Sequence, residues 1–393
     1  MSRSAVWLVR LYLIAVGLTL LVGGALSLVL RYELWDPGRT LAGETYGSLL
    51  TAHGLALGFV AWPGAILALA NLVVVDVRRP PSAPTLPLAY LGLAAWIAGA
   101  ATMGTGARAI TGLYAAAFGL TSIHLVVTAA RGPGALRGAR LLAALGAVAA
   151  VAGEAFVFAA GWLERNGRAP QQPPALAAAL VVCASPWIIE RASGRRRSVW
   201  PAATAVVLLL VPGFVDGGVP VLVGVAGLWL ACGFLWLAAL ANRARGTAPL
   251  LHVSLGVVPA LLAGGTLGAF LDVLAPDIHV HDTVVPVAAT HLIAGATVVA
   301  LVAARAGAGR LARVAAILLG PGIVGAEIAL AYVGFRGMPR RYQAYLDLFA
   351  LPQKLVGVAA CVGFAGGVVA VVAMLRRGGP VEAVPEDLTD VFR

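Results

Sequence analysis

Apolar runs of about twenty residues recur along nearly the whole of this chain, and no other feature constrains its fold as tightly. An α-helix rises 1.5 Å per residue, so about twenty apolar residues cross a hydrocarbon core of about 30 Å. Lipid offers the backbone no hydrogen bonds, which leaves helices or closed barrels as spanning structures, and these runs are continuous rather than alternating. Twelve spans are expected, at 6–30, 45–75, 86–106, 109–130, 138–162, 174–191, 198–215, 219–242, 249–272, 283–304, 311–334 and 353–375. With 60% hydrophobic residues, 11% charged and a mean hydropathy of +0.92, a soluble globular domain is excluded. The loops are too short to hold another domain. Residues 1–393 therefore read as a single all-α transmembrane domain, a bundle of twelve helices.

A formal charge of +11 would suit nucleic acid were it gathered on one surface. Instead the arginines alternate between loops: Arg78 and Arg79, Arg131, Arg137 and Arg140, Arg191 and Arg195 to Arg197, Arg243 and Arg245, Arg305, Arg310 and Arg313, Arg376 and Arg377. Together with Arg3, they put those loops and both termini in the cytoplasm by the positive-inside rule, so the chain is expected in the cell's inner membrane, in lipid, with no nucleic-acid partner. No small-residue cleavage site precedes Arg31, and the first span is expected to be retained rather than removed as a signal peptide. Cys183, Cys232 and Cys361 stand apart in apolar runs, with no CxxC and no CxxCH, which excludes covalent haem attachment and a thiolate zinc site.

Histidine inside a bilayer is costly unless something engages it. Of six, His53 (in Thr51-Ala-His-Gly54) and His291 (the end of His281-Asp-Thr-Val-Val-Pro-Val-Ala-Ala-Thr-His291) lie at matching depth, about 12 Å in from the non-cytoplasmic side. Two imidazoles from facing helices can sandwich one haem iron and leave it no open position. Alternatively, each bonds a carbonyl or hydroxyl of a neighbouring helix. His279, His281 and Asp282 sit at the outer mouth of the tenth span beside Asp277, where they suit a divalent ion, haem propionates or a solvated loop. His124 and His252, nearer the cytoplasmic ends, read as packing residues rather than a second site. Glu154 and Glu327 lie within the fifth and eleventh spans, where a carboxyl either moves protons or rests protonated against a neighbour.

Three segments give the chain a family resemblance. They are Leu26 to Gly38 with Leu50-Thr-Ala-His-Gly54 and Asn71; Gly264 to Phe270 through Asp277, His281-Asp-Thr283 and His291; and Gly337-Met-Pro-Arg-Arg-Tyr342. In order and spacing they resemble the first two helices, the ninth and tenth helices, and the loop before the last helix in catalytic subunit I of the haem-copper oxidase superfamily. The resemblance implies that His53 and His291 are the two axial ligands of the low-spin haem. It implies that Arg31 contacts the edge of that haem and that Arg340 and Arg341 bind its propionates, for which a guanidinium fork is suited. His281 and Asp282 match the pair near a magnesium ion, a site that in the family also takes a ligand from subunit II.

The departures cluster at the dioxygen-reducing centre. The family reads HDT, five residues, then His-x-His, and the first of those histidines binds the high-spin haem; here it is Ala289. The copper-binding histidine of the sixth helix corresponds to Ser185 in Cys183-Ala-Ser-Pro-Trp187, and the adjacent histidine pair of the seventh has no counterpart. The cross-linked tyrosine is missing too. Lys354 is the only lysine and lies near the last helix, and Ser82 stands where one proton channel has an aspartate.

A single low-spin bis-histidine haem near the outer face is therefore expected, b-type, although Arg31 also admits a formyl-bearing one, and no copper is expected. The chain reads as an electron-transfer subunit of an oxidoreductase rather than a complete cytochrome c oxidase. It would exchange electrons with quinol or a periplasmic cytochrome or cupredoxin, alongside other subunits of a redox complex. Two alternatives stay open at this point: a non-catalytic assembly or haem-sensing subunit, and a terminal oxidase or nitric oxide reductase with substituted ligands.

Overall fold

The structure is a computed structural model that describes residues 3–36, 45–74, 85–102, 107–131, 138–163, 174–194, 198–211, 218–242, 247–271, 280, 282–305, 309–339 and 345–376. Among these the regular structure is helical, with one isolated bridge between Thr283 and Pro339. The helices are α1 (Arg3–Glu33), α2 (Tyr46–Gly54), α3 (Trp62–Val74), α4 (Leu86–Ala101), α5 (Ala107–Arg131), α6 (Ala139–Leu163), α7 (Pro174–Ser193), α8 (Trp200–Leu210), α9 (Gly218–Leu240), α10 (Ala248–His252), α11 (Val258–Ala269), α12 (Val285–Arg305), α13 (Arg310–Phe335) and α14 (Ala350–Arg376). A π-helical turn, Leu55–Ala61, joins α2 to α3, and another, Val253–Val257, joins α10 to α11, so each pair is one rod.

Ten of these rods are long and apolar enough to cross a membrane. The two exceptions are α4 and α8, where the sequence led us to expect the third and seventh spans. With 16 and 11 residues they reach about 24 Å and about 16 Å, short of a 30 Å core. Each stops next to residues outside the described set, 103–106 and 212–217.

The two π-helical turns share a cause that the apolar pattern hides. Each is followed by a proline in the second position of the next helix, Pro63 or Pro259. Proline has no N–H to give to the carbonyl four residues back, and the chain widens to absorb the mismatch. The carbonyl stranded by Pro63 belongs to Phe59, and it accepts a hydrogen bond from the hydroxyl of Tyr114 on α5.

Helices α3, α7 and α12 form the centre. Every residue of α3 is buried, as are Leu292, Ile293 and the whole stretch from Gly295 to Arg305 on α12. Around them the other helices turn large apolar side chains outward, Trp7, Leu18, Trp200 and Trp236 among them, as a lipid-facing surface requires. Small residues set the closest approaches. A Cβ on Gly322 of α13 would strike the backbone of Gly363 on α14, and one on Gly366 would strike the backbone at Leu319. Close helix contact of this kind replaces the hydrophobic drive that lipid cannot supply.

Candidate cofactor site

Helices α1, α2, α12, α13 and α14 enclose a cavity of about 220 Å³ that His53, His291, Arg31 and Glu327 line at one end. Its other walls are Gly, Ala, Leu, Ile, Val, Phe and Trp side chains for the most part, reaching Val302 on α12 and Met374 on α14. From Val356 to Met374 the cavity follows α14 for about 27 Å, so it is a slot running along the bundle rather than a surface dent.

His53 and His291 meet across this slot. Their ring centroids are 6.1 Å apart and the ring planes stand at 81°. Nδ1 of His53 lies 2.9 Å from the carbonyl oxygen of Gly23, which can only accept, so Nδ1 carries the proton and Nε2 keeps its lone pair. Nδ1 of His291 lies 3.2 Å from Oε1 of Glu327, an arrangement that likewise frees Nε2. Two metal–nitrogen bonds of about 2.0 Å, plus about 1.1 Å from each nitrogen to its ring centre, give about 6 Å between centroids. The observed separation matches one metal ion held between the two rings.

Local structure explains how each ring is aimed. His53 sits one residue before the end of α2, two residues ahead of the π-helical turn that leads into α3. His291 is aimed by a cap. Val285 N donates to Thr283 Oγ1 at 3.3 Å, while that hydroxyl donates to the carbonyl of Val280 at 2.7 Å. Thr283, the last residue of the HDT step, thus satisfies a free N–H at the start of α12. The same threonine bridges to Pro339, and Val284 N donates to the Met338 carbonyl at 3.3 Å. Gly337 makes that return possible with φ +92°, a left-handed conformation that ends α13 at glycine's small cost.

Arg31 points into the same end of the cavity. Its Nη1 donates to Oε1 of the buried Gln353 at 3.2 Å, and Nε2 of Gln353 donates to Sδ of Met338 at 2.7 Å. The arginine is therefore tied through one side chain to the Gly337–Pro339 loop. Nearby, Tyr345 donates to the Leu34 carbonyl at 2.6 Å and Lys354 pairs with Asp36 at 2.9 Å, which fasten the end of α1 to the start of α14. Gln353 and Glu327 are the two contributors the sequence reading did not assign to this site. Neither lies in a motif, and only helix packing brings them there.

Other expected residues fall elsewhere. Arg340, Arg341 and His281 lie outside the described residues, as do His279, Asp277 and Ser82. Asp282 is exposed beside the start of α12. Among the described residues no three His, Cys, Asp or Glu side chains gather as a metal site. Ala289 packs with Leu271, Val285, Leu267 and Val280 in an apolar cluster. Ser185 is fully buried and donates to the carbonyl of Val181 at 2.7 Å within its own helix. Buried His124 bonds the Thr85 carbonyl at 3.1 Å, in keeping with a packing role, and His252 is buried on α10. Glu154 is buried on α6, and both of its carboxyl oxygens lack a hydrogen-bond partner in the structure.

No family model matches the chain. A stretch of 139 residues, 32% of this chain, is 35% identical to cytochrome c oxidase polypeptide 1 of Halobacterium salinarum. That stretch spans 23% of the relative's length. In three dimensions the chain is similar to a haem-copper terminal oxidase solved as a dimer by cryo-electron microscopy, with a TM-score of 0.65 and 13% identity. The likeness covers 95% of this chain and 84% of that one, and it is a likeness of fold. The chain is thus a multi-pass helical bundle with the fold of a haem-copper terminal oxidase, and over 139 of its residues it is similar in sequence to a cytochrome c oxidase polypeptide 1.

Proposed function

We propose that the chain is a membrane electron-transfer subunit that holds one low-spin haem between His53 and His291. A single observation carries this reading: both rings give their Nδ1 to an oxygen, and both face one cavity at the spacing a shared metal ion demands. The residues fit the group in other respects too. Arg31 lies at the polar end for a carboxylate, and the long apolar walls suit a flat hydrophobic macrocycle. Arg340 and Arg341, directly after the loop anchored by Met338, would complete the propionate site.

When bound, the haem supplies a reversible one-electron couple. His53 and His291 would hold its metal, Arg31 would neutralise a propionate, and the apolar walls would keep water away. With both imidazoles engaged, electron transfer would be favoured over binding of a gas. The apolar packing at Ala289 and the self-bonded hydroxyl of Ser185 support the absence of a second, dioxygen-reducing centre. In the orientation proposed, α4 and α8 complete twelve spans, both termini are cytoplasmic and the haem lies near the outer face of the inner membrane. It would exchange electrons there with quinol or a periplasmic cytochrome or cupredoxin, alongside partner subunits. His281 and Asp282 are proposed as a divalent-ion pair at the outer mouth.

Optical spectra of the purified chain test the reading. The expected result is a low-spin reduced-minus-oxidised spectrum, about one haem per chain, no carbon monoxide shift and no copper. Carbon-monoxide-reactive haem or bound copper would instead establish a terminal oxidase with substituted ligands. A haem that neither quinol nor a periplasmic donor reduces would point to an assembly or sensing subunit.

A further inference from the structure

The two histidines are held by unlike partners. His53 faces a neutral backbone carbonyl, whereas His291 faces a carboxyl group, 3.2 Å from Nδ1 to Oε1 of Glu327. The second carboxyl oxygen, Oε2, is buried without a hydrogen-bond partner, and the surrounding wall on α13 consists of Ile323 and Ala326. A carboxyl in an apolar wall within a membrane is costly; here it meets the imidazole at hydrogen-bond distance, and the Arg31 guanidinium lies within electrostatic reach on the same cavity.

Packing fixes this address. α12 and α13 pack against each other. Four residues along α12 from His291 is Gly295, and four residues back along α13 from Glu327 is Ile323. A Cβ on Gly295 would lie 2.7 Å from Cγ2 of Ile323, so only glycine lets the two helices approach one turn below the pair. The His291–Glu327 contact is thus built by the helix interface rather than reached by a flexible surface side chain.

We propose that Glu327 is a positioning residue for the axial ligand His291: it holds the tautomer with the proton on Nδ1 and, as a carboxylate, favours the oxidised haem. This rests on the haem assignment above. A carboxylate behind a ligating imidazole orients the ring and makes Nε2 a stronger donor, and such partners change metal affinity about 10- to 100-fold when removed. A nearby negative charge also stabilises the more positive ferric state. The haem would therefore have one strongly donating and one ordinary axial ligand.

Two substitutions separate orientation from charge. Glu327→Gln keeps an oxygen that accepts the Nδ1 proton but removes the charge, and Glu327→Leu removes both. In redox titrations of the full-length haem-loaded protein, Glu327→Gln should retain one haem while its oxidised-to-reduced preference falls about tenfold, a rise of about 59 mV for one electron. Glu327→Leu should bind haem at least about tenfold more weakly. Ring-nitrogen NMR of the haem-free protein should show the Nδ1–H form of His291 in wild type and its loss in Glu327→Leu. Equal midpoints in wild type and Glu327→Gln, or an unchanged His291 tautomer in Glu327→Leu, would overturn the proposal. Wild-type protein that takes up no haem would overturn the haem assignment instead, and the NMR measurement would still decide whether Glu327 sets the tautomer. Should Glu327→Leu fail to fold, the potential of Glu327→Gln remains decisive.

Discussion

His53 and His291 stand at 81° to one another, and each is fixed at Nδ1, so neither ring is free to rotate into a parallel arrangement. If both rings hold one ferric haem in this crossed orientation, two iron orbitals would be nearly degenerate, and the haem-loaded protein should give a strongly anisotropic low-spin electron paramagnetic resonance signal. A rhombic spectrum of the parallel type would contradict the geometry. Replacing either histidine with alanine should abolish haem binding, read as loss of the visible absorption from purified protein. Retention in either variant would show that the ligand is misassigned. Gln353 acts one step further out. It receives Arg31 and reaches Met338, so Gln353→Leu should cost the half-buried guanidinium this acceptor, about 1–3 kcal/mol, measurable as a lower temperature of haem release.

Among the elements, the two π-helical turns and the α13–α14 contact decide where the site's parts stand. Tyr114 accepts the task that Pro63 leaves undone, by donating to the Phe59 carbonyl. Tyr114→Phe should strand that carbonyl at a cost of about 1–3 kcal/mol and loosen the turn behind His53, lowering haem affinity without touching the cavity. The α13–α14 interface is stricter. Gly322 and Gly363 meet backbone to backbone, and both line the cavity. Gly322→Val must push the helices apart, and we expect an overpacking cost of about 1–3 kcal/mol or more, with partial haem loss. Wild-type melting and haem content in that variant would show that the contact is looser than the structure has it.

For the whole molecule, topology is the property at stake. Gly309, between α12 and α13, and Leu346, before α14, lie at opposite ends of α13 and are both exposed. In intact cells lacking their outer barrier, a membrane-impermeant thiol reagent should label Leu346→Cys but reach Gly309→Cys only after permeabilisation. The background is Cys361→Ser, since Cys361 is exposed while Cys183 and Cys232 are buried. The reverse pattern would invert the bundle and put the histidine end of the cavity on the cytoplasmic side.

Much of this protein is written locally in its sequence. Runs of apolar residues set helical spans because lipid denies the backbone any other partner, and that rule needs no knowledge of neighbours. The lone histidines in α2 and α12 and the missing imidazole at Ala289 are equally readable, since each is a single residue in an apolar context. The HDT step and the Gly337-Met-Pro-Arg-Arg-Tyr342 loop could be noticed as motifs, but the bridge joining Thr283 to Pro339 pairs residues far apart in the chain. Glu327 is the sharper case. From the sequence it is one intramembrane carboxyl like Glu154, yet one meets an imidazole and the other meets no hydrogen-bonding partner. The difference arises because Gly295 admits Ile323 and draws two helices together, and such an approach distance belongs to a packed interface rather than to either segment alone.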